Sequence, residues 1–133
     1  MSRIVLDSSA ILAVVNKEDG AEVVRPILAD AVVSAVNVAE VYTKLHEYSD
    51  EAVETAQAIL EFVEIVPFDE EQARLTGELR PATKKAGLSL GDRACLALGI
   101  RLDAEIYTTE RAWGILGLPC SIRMIRGPRE SVQ

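Results

Sequence analysis

Cysteine and histidine are scarce in this chain, and so are long apolar runs. Of its 133 residues only Cys95 and Cys120 are cysteines, and they stand far apart. They form neither a Cys-x-x-Cys pair nor a metal-ligand spacing, which gives no support to a disulfide framework or a thiolate zinc site. Cys95 lies in the helical pattern Ala94-Cys95-Leu96-Ala97-Leu98, and both cysteines read as small buried hydrophobes. The single histidine, His46, reads as a helix-surface residue and leaves no evident Ser-His-Asp triad. No apolar run approaches the roughly 18 residues that span a membrane. Met1-Ser2-Arg3 opens no signal-peptide h-region, so the expected compartment is the cytosol. Positive charge is short as well: 14 Lys and Arg against 21 Asp and Glu give a net charge of −7. That argues against a protein that coats nucleic acid through a broad basic field.

What is present is apolar and alternating. Hydrophobic residues make up 49% of the chain, enough for one sizeable core in one domain. The run Ile4 to Asp7 reads as a buried strand that meets a helix through about Val15 without a loop. Asp19-Gly20 marks a turn, and Ala21 to Leu28 reads as a helix that Pro26 strains. Ala31 to Ala35 is a second strand and Val36 to Tyr48 a helix; Ser49 or Asp50 caps another helix to Val63. Glu64 to Pro67 is a short strand, and Asp69 caps a helix to about Arg80. Pro81 to Leu88 reads as a helix end and loop, after which Ser89 opens a helix to Leu102. Glu105 to Thr108 is a strand, Thr109 to Leu116 a short helix, and Ser121 to Ile125 a last strand, with a loose tail after Gly127-Pro128. Strands alternating with helices predict an α/β domain, a mostly parallel sheet covered on both sides.

Four acids stand out from apolar or helix-starting segments: Asp7, Glu40, Asp92 and Glu110. Each has a plain structural account. Asp7 can cap the helix that follows it. Glu40 shares a helix face with Asn37, Lys44 and Glu47 and can pair with Lys44. Ser89-x-x-Asp92 has the form of a capping box, and Glu110 complements a helix dipole. Jointly they mean more. Parallel strands share one carboxyl edge, where open α/β sheets place their ligands. Carboxylates gathered there repel unless a cation joins them, and an all-oxygen set selects Mg²⁺ or Mn²⁺ over Zn²⁺. Such a set suits phosphodiester hydrolysis. The basic residues near the motifs, Lys84, Lys85, Arg93 and Arg111, are candidates for contact with a phosphodiester backbone.

The segments Ile4-Val5-Leu6-Asp7-Ser8-Ser9-Ala10, Asn37-Val38-Ala39-Glu40-Val41, Leu88-Ser89-Leu90-Gly91-Asp92-Arg93 and Tyr107-Thr108-Thr109-Glu110-Arg111-Ala112-Trp113 resemble, in order, the motifs of PIN domains. The resemblance is to the VapC-type toxins of toxin–antitoxin pairs and covers nearly the whole chain. It implies a single PIN-like domain acting as a Mg²⁺- or Mn²⁺-dependent endoribonuclease. It matches Asp7, Glu40 and Asp92 to three acids of the family's metal site, Ser9 to a hydroxyl that orders it, and Thr108 to a polar position beside the fourth acid. That acid is commonly Asp, and here it is Glu110, whose extra methylene changes its reach. The resemblance further implies an RNA substrate, a VapB-type antitoxin partner, a homodimer and no membrane. Two other readings remain. A phosphotransfer enzyme using Asp7 as nucleophile would want Asp-x-Asp, where this chain has Asp7-Ser8-Ser9. A binding module that has lost its chemistry would find its support in Glu110.

Overall fold

The structure is a computed structural model and describes residues 3–127. Five strands form one sheet in the order β3-β2-β1-β4-β5, every neighbouring pair parallel. They are β1 (Ile4–Leu6), β2 (Ala31–Ser34), β3 (Glu64–Val66), β4 (Glu105–Thr108) and β5 (Ser121–Met124). Seven helices surround it: α1 (Ser8–Val15), α2 (Ala21–Val24), α3 (Ala35–Leu45), α4 (Asp50–Leu60), α5 (Glu70–Glu78), α6 (Arg80–Thr83) and α7 (Leu90–Leu102). The expected α/β class holds, and the sheet is wholly parallel. No helix of the described residues is long and apolar enough to cross a membrane.

Strand alternation sorts the core into two halves. Leu6, Val33 and Tyr107 face a layer built from α1 to α4, with Ile11, Val41 and Leu45 in it. Val5, Val32 and Ile106 face α7, where Leu96 and Leu98 are buried together with Cys95 and Trp113. Cys95 is thus the buried hydrophobe its pattern implied; Cys120 is partly buried, and both thiols are free.

Three expected elements come out differently. The helix from Ala21 ends at Val24 and tightens into a 3₁₀ segment over Arg25–Asp30, because Pro26 lacks the N–H a continuing α-helix requires. Residues Arg80–Thr83, read as a helix end and loop, make the short α6. The turn after β4 is a 3₁₀ helix, Arg111–Ile115, and not an α-helix. The tail beyond Gly127 lies outside the described residues. Caps hold where the sequence placed them: Ser49 accepts from Ala52 N, Asp69 from Gln72 N, and Ser89 with Asp92 closes a capping box.

The strand order carries the functional consequence. From β1 the chain moves outward to β2 and β3, then returns through α7 to the other side of β1 for β4 and β5. The order reverses between β1 and β4, and at such a switch point the connections leave a crevice beyond the strands' carboxyl ends. Asp7 follows β1 there, Thr108 ends β4 and Glu110 lies two residues beyond it.

Candidate functional site

A cleft of about 640 Å³ opens at this crevice, and Asp7, Glu40, Asp92 and Glu110 all line it, with Ser8, Ser9 and Lys44 among its walls. Each acid reaches it from a different element. Asp7 directly follows β1 and is the N-cap of α1. Glu40 comes from the middle of α3, Asp92 from the first turn of α7, and Glu110 from the junction of β4 with the 3₁₀ helix.

Asp7 is almost fully buried and held by donors on every side. Its Oδ1 accepts from Ser9 N at 2.8 Å and from Ser8 Oγ at 3.1 Å. Its Oδ2 accepts from Ser9 Oγ at 2.8 Å and from the Thr108 hydroxyl. The cap and the cleft are therefore one arrangement: the carboxylate that starts α1 also faces the crevice. Ser9 Oγ in turn accepts from Thr109 N at 3.0 Å, and Thr108 Oγ1 from Glu110 N at 3.0 Å, so both hydroxyls lock the end of β4 to Asp7. Burial pushes the Asp7 carboxyl above its ordinary range, against the pull of the Thr108, Ser9 and Ser8 hydrogen bonds.

Glu40 is partly buried because α3 packs on α7. Burial raises its carboxyl first; Asn37 opposes by a hydrogen bond, and the charges of Asp92 and Asp7 raise it further. Glu110 is raised by burial and then by Asp7 and Asp92, while Arg126 and Lys44 pull it down. Glu40 and Glu110 thus each feel the charges of Asp7 and Asp92, which a shared cation would relieve. Lys44, one turn beyond Glu40, forms no ion pair with it among the described residues.

Asn37 and Gly91, which stand in the quoted motifs without an assigned role, shape this cleft. Asn37, fully buried, donates from Nδ2 both to Glu40 Oε1 at 2.8 Å and to the Gly91 carbonyl at 3.0 Å. It ties the carboxylate on α3 to the first turn of α7, beside Asp92. Gly91 makes the approach possible, since a Cβ there would collide with the Glu40 carboxylate. The signals were in the sequence: Asn37 lies three residues before Glu40, and Gly91 adjoins Asp92 at a helix start where glycine brings no helical advantage. Gly91→Ala is expected to push the Glu40 carboxylate away from Asn37 and the first turn of α7 at little cost in stability, since only the end of a flexible side chain must move and alanine favours the helix. A near-unchanged melting temperature together with reduced Mg²⁺-dependent cleavage of a labelled RNA checks it.

The basic candidates fare unevenly. Arg93 turns away from the cleft and donates from Nη1 to the Thr76 carbonyl on α5 at 2.9 Å. Lys84, Lys85 and Arg111 are exposed and are not among the cleft's lining residues. His46 is the exposed C-cap of α3.

As donors the four acids fit a hard divalent ion: all oxygen, with no imidazole or thiol on the cleft wall. Among the described residues, however, no three such side chains gather closely enough to enclose one ion. The hydrogen bonds say why. Glu40 Oε1 is drawn to Asn37, and Asp92 Oδ2 is engaged by Ser89 N at 2.9 Å.

The family model described as PIN domain matches residues 4–113. No curated protein matches the chain by sequence. Among solved structures it is similar to the DNA-bound VapBC of Salmonella typhimurium, at 16% identity and TM-score 0.75, over 95% of this chain and 100% of that one. It is similar to VapBC2 of Rickettsia felis bound to a promoter DNA fragment, at 16% identity and TM-score 0.74, over 91% and 97%. The toxin–antitoxin system VapBC-5 of Mycobacterium tuberculosis matches at 20% identity and TM-score 0.64, over 96% and 100%.

Proposed function

The chain belongs to the PIN-domain family, and we propose that it is a Mg²⁺- or Mn²⁺-dependent endoribonuclease, the toxin of a toxin–antitoxin pair. PIN domains are in general nucleases that use divalent metal ions. The observation that carries the reading is the convergence of Asp7, Glu40, Asp92 and Glu110 on one cleft at the sheet's switch point.

Asp7, Glu40 and Asp92 would hold the metal, and Glu110 would reach it directly or through water. When bound, the ion supplies activated water and charge stabilisation on the cleaved phosphodiester. The chain's own residues do the positioning. Ser9 and Thr108 fix both oxygens of Asp7 and join the ends of β1 and β4. Asn37 sets Glu40 against the first turn of α7. The exposed Lys84, Lys85 and Arg111 offer diffuse attraction to a strand, while Arg93 braces α7 against α5. The antitoxin is inferred from the VapBC complexes that share the fold. A small antitoxin-like reading frame beside the gene would support that partner, and light scattering at twice the mass of one chain would support the homodimer.

Asp92→Asn tests the reading. An Asn side-chain oxygen can still accept from Ser89 N, so the α7 cap survives, while one anionic ligand is lost. Cleavage of a labelled RNA in Mg²⁺ is expected to fall by ~100-fold or more with little change in melting temperature; a ligand worth several kcal/mol implies at least that. Full activity of Asp92→Asn, or of the unaltered chain in excess EDTA, sinks the mechanism.

A further inference from the structure

A second cavity, of about 280 Å³, abuts the acid cleft and shares Ser9, Leu12, Lys44 and Glu110 with it. Its other walls include Tyr48, Thr109 and Arg126, which bring together elements distant in sequence: the end of α3, the start of the 3₁₀ turn and the stretch after β5. Resting on the nuclease reading, we propose that this cavity is a subsite for the RNA strand, in which Lys44 and Arg126 take a phosphate next to the cleaved bond and Tyr48 stacks on the adjoining base.

Three independent observations carry this. First, in a chain of net charge −7, Lys44 and Arg126 come together on the walls of one cavity, where they offset the acids Glu18 and Glu110 that also line it. An acid cleft repels a phosphodiester, so a strand entering it gains from cations at its exit. Second, the two cavities share a wall, so a strand lying in the first has the second next to it. Third, Tyr48 is 70% exposed at the rim although it is a large aromatic. An aromatic face beside a cationic groove is how single strands are held, and it favours RNA over an acidic peptide. Arg126 has a competing partner in Glu18 at 3.4 Å and also approaches the Asp19 carbonyl at 3.4 Å. A phosphate taken by Arg126 would replace both contacts, of which the long ion pair to the partly exposed Glu18 is weak. Lys44 forms no ion pair among the described residues.

The test uses the full chain and a 5′-fluorescein-labelled single-stranded RNA of ten mixed nucleotides. Binding is followed by anisotropy in EDTA across a salt series, and cleavage kinetics are measured in Mg²⁺. Lys44→Gln and Arg126→Gln are each expected to weaken binding or raise KM by ~10-fold with kcat nearly kept, and to lower the slope of log K against log salt by ~0.7. Tyr48→Ala is expected to weaken binding by a similar factor with the slope unchanged. Arg101→Gln, on the far end of α7, serves as the control. Lys44 is an exposed helix residue, so its variant folds even if the Arg126 one does not. Unchanged affinity, KM and slope in Lys44→Gln overturn the subsite while its cleavage keeps the nuclease reading. A chain without Mg²⁺-dependent cleavage overturns both. Loss confined to binding of a hexaglutamate peptide, with RNA unaffected, assigns the cavity to an acidic protein instead and also overturns the proposal.

Discussion

Asp7→Asn is expected to lower Mg²⁺-dependent RNA cleavage by ~10³-fold or more while the metal-free protein stays folded and nearly as stable. The two halves of that expectation have separate causes. A metal ligand contributes several kcal/mol of charge stabilisation to a phosphoryl transition state, and each ~1.36 kcal/mol is tenfold in rate. Asp7 is the most buried of the four acids and the one most completely fixed, so its loss is felt in full. Stability answers to a different balance. Burial disfavours the ionised Asp7, so removing the charge is a gain. Against it, the Asn amide replaces an acceptor with a donor, and the Ser9 and Thr108 hydroxyls must rotate to receive it. Their hydrogen bonds to one another and to the β4 backbone leave that possible. The net change is expected within about 1 kcal/mol. Asp7→Ala is the contrast: it abolishes the cap of α1 and strands the Thr108 hydroxyl, costing about 1–3 kcal/mol. Initial rates on a labelled RNA, with melting curves in EDTA, read both halves. Activity within tenfold of the unaltered chain would remove Asp7 from the metal set.

How much of this was readable beforehand differs by type of interaction. Local signals read well. Ser49, Asp69 and Ser89 cap the helices they precede because an N-cap is decided within three residues. The strands β1, β2 and β4 follow from short apolar runs, since a sheet covered on both faces asks for little else. The reversal of strand order was not written in any one segment, yet it is what brings Asp7 and Thr108 together across 101 residues. The α3–α7 contact is non-local in the same way. Asn37 shares a helix face with Glu40 and Lys44, and it is buried, joining Glu40 to a carbonyl 54 residues away. Arg93 adjoins Asp92 in sequence but projects from the opposite side of α7's first turn, toward α5, because consecutive helical residues diverge by about 100°. Lys44, the cation that does line the cleft, stands one helical turn from Glu40 and not next to an acid in the chain.

The metal-free protein is expected to lose stability as pH rises, and divalent metal to reverse that trend. Burial raises Asp7 from an ordinary value of 3.8, and raises Glu40 and Glu110 from 4.5. A carboxyl whose folded pKa is raised keeps its proton in the fold at a pH where the unfolded chain has released it. The stability it adds is complete below the ordinary values and is lost as pH rises through the raised ones. Asp69 works the other way, lowered by the Gln72 backbone N–H and then by Arg101, but it is fully exposed and solvent screens it. The melting temperature in EDTA should therefore fall as pH rises above the ordinary values of 3.8 and 4.5 and through the raised ones. Metal competes with those same protons, so its affinity should climb over the same window. At ~100 times its dissociation constant it adds about 2.7 kcal/mol, or roughly 10 °C for a domain of this size. Melting curves at a series of pH values, with EDTA and with Mn²⁺, compare the two slopes. A Mn²⁺-induced shift that does not grow with pH would mean that the acids of the cleft do not share the ion, because proton release and metal binding would then belong to different groups.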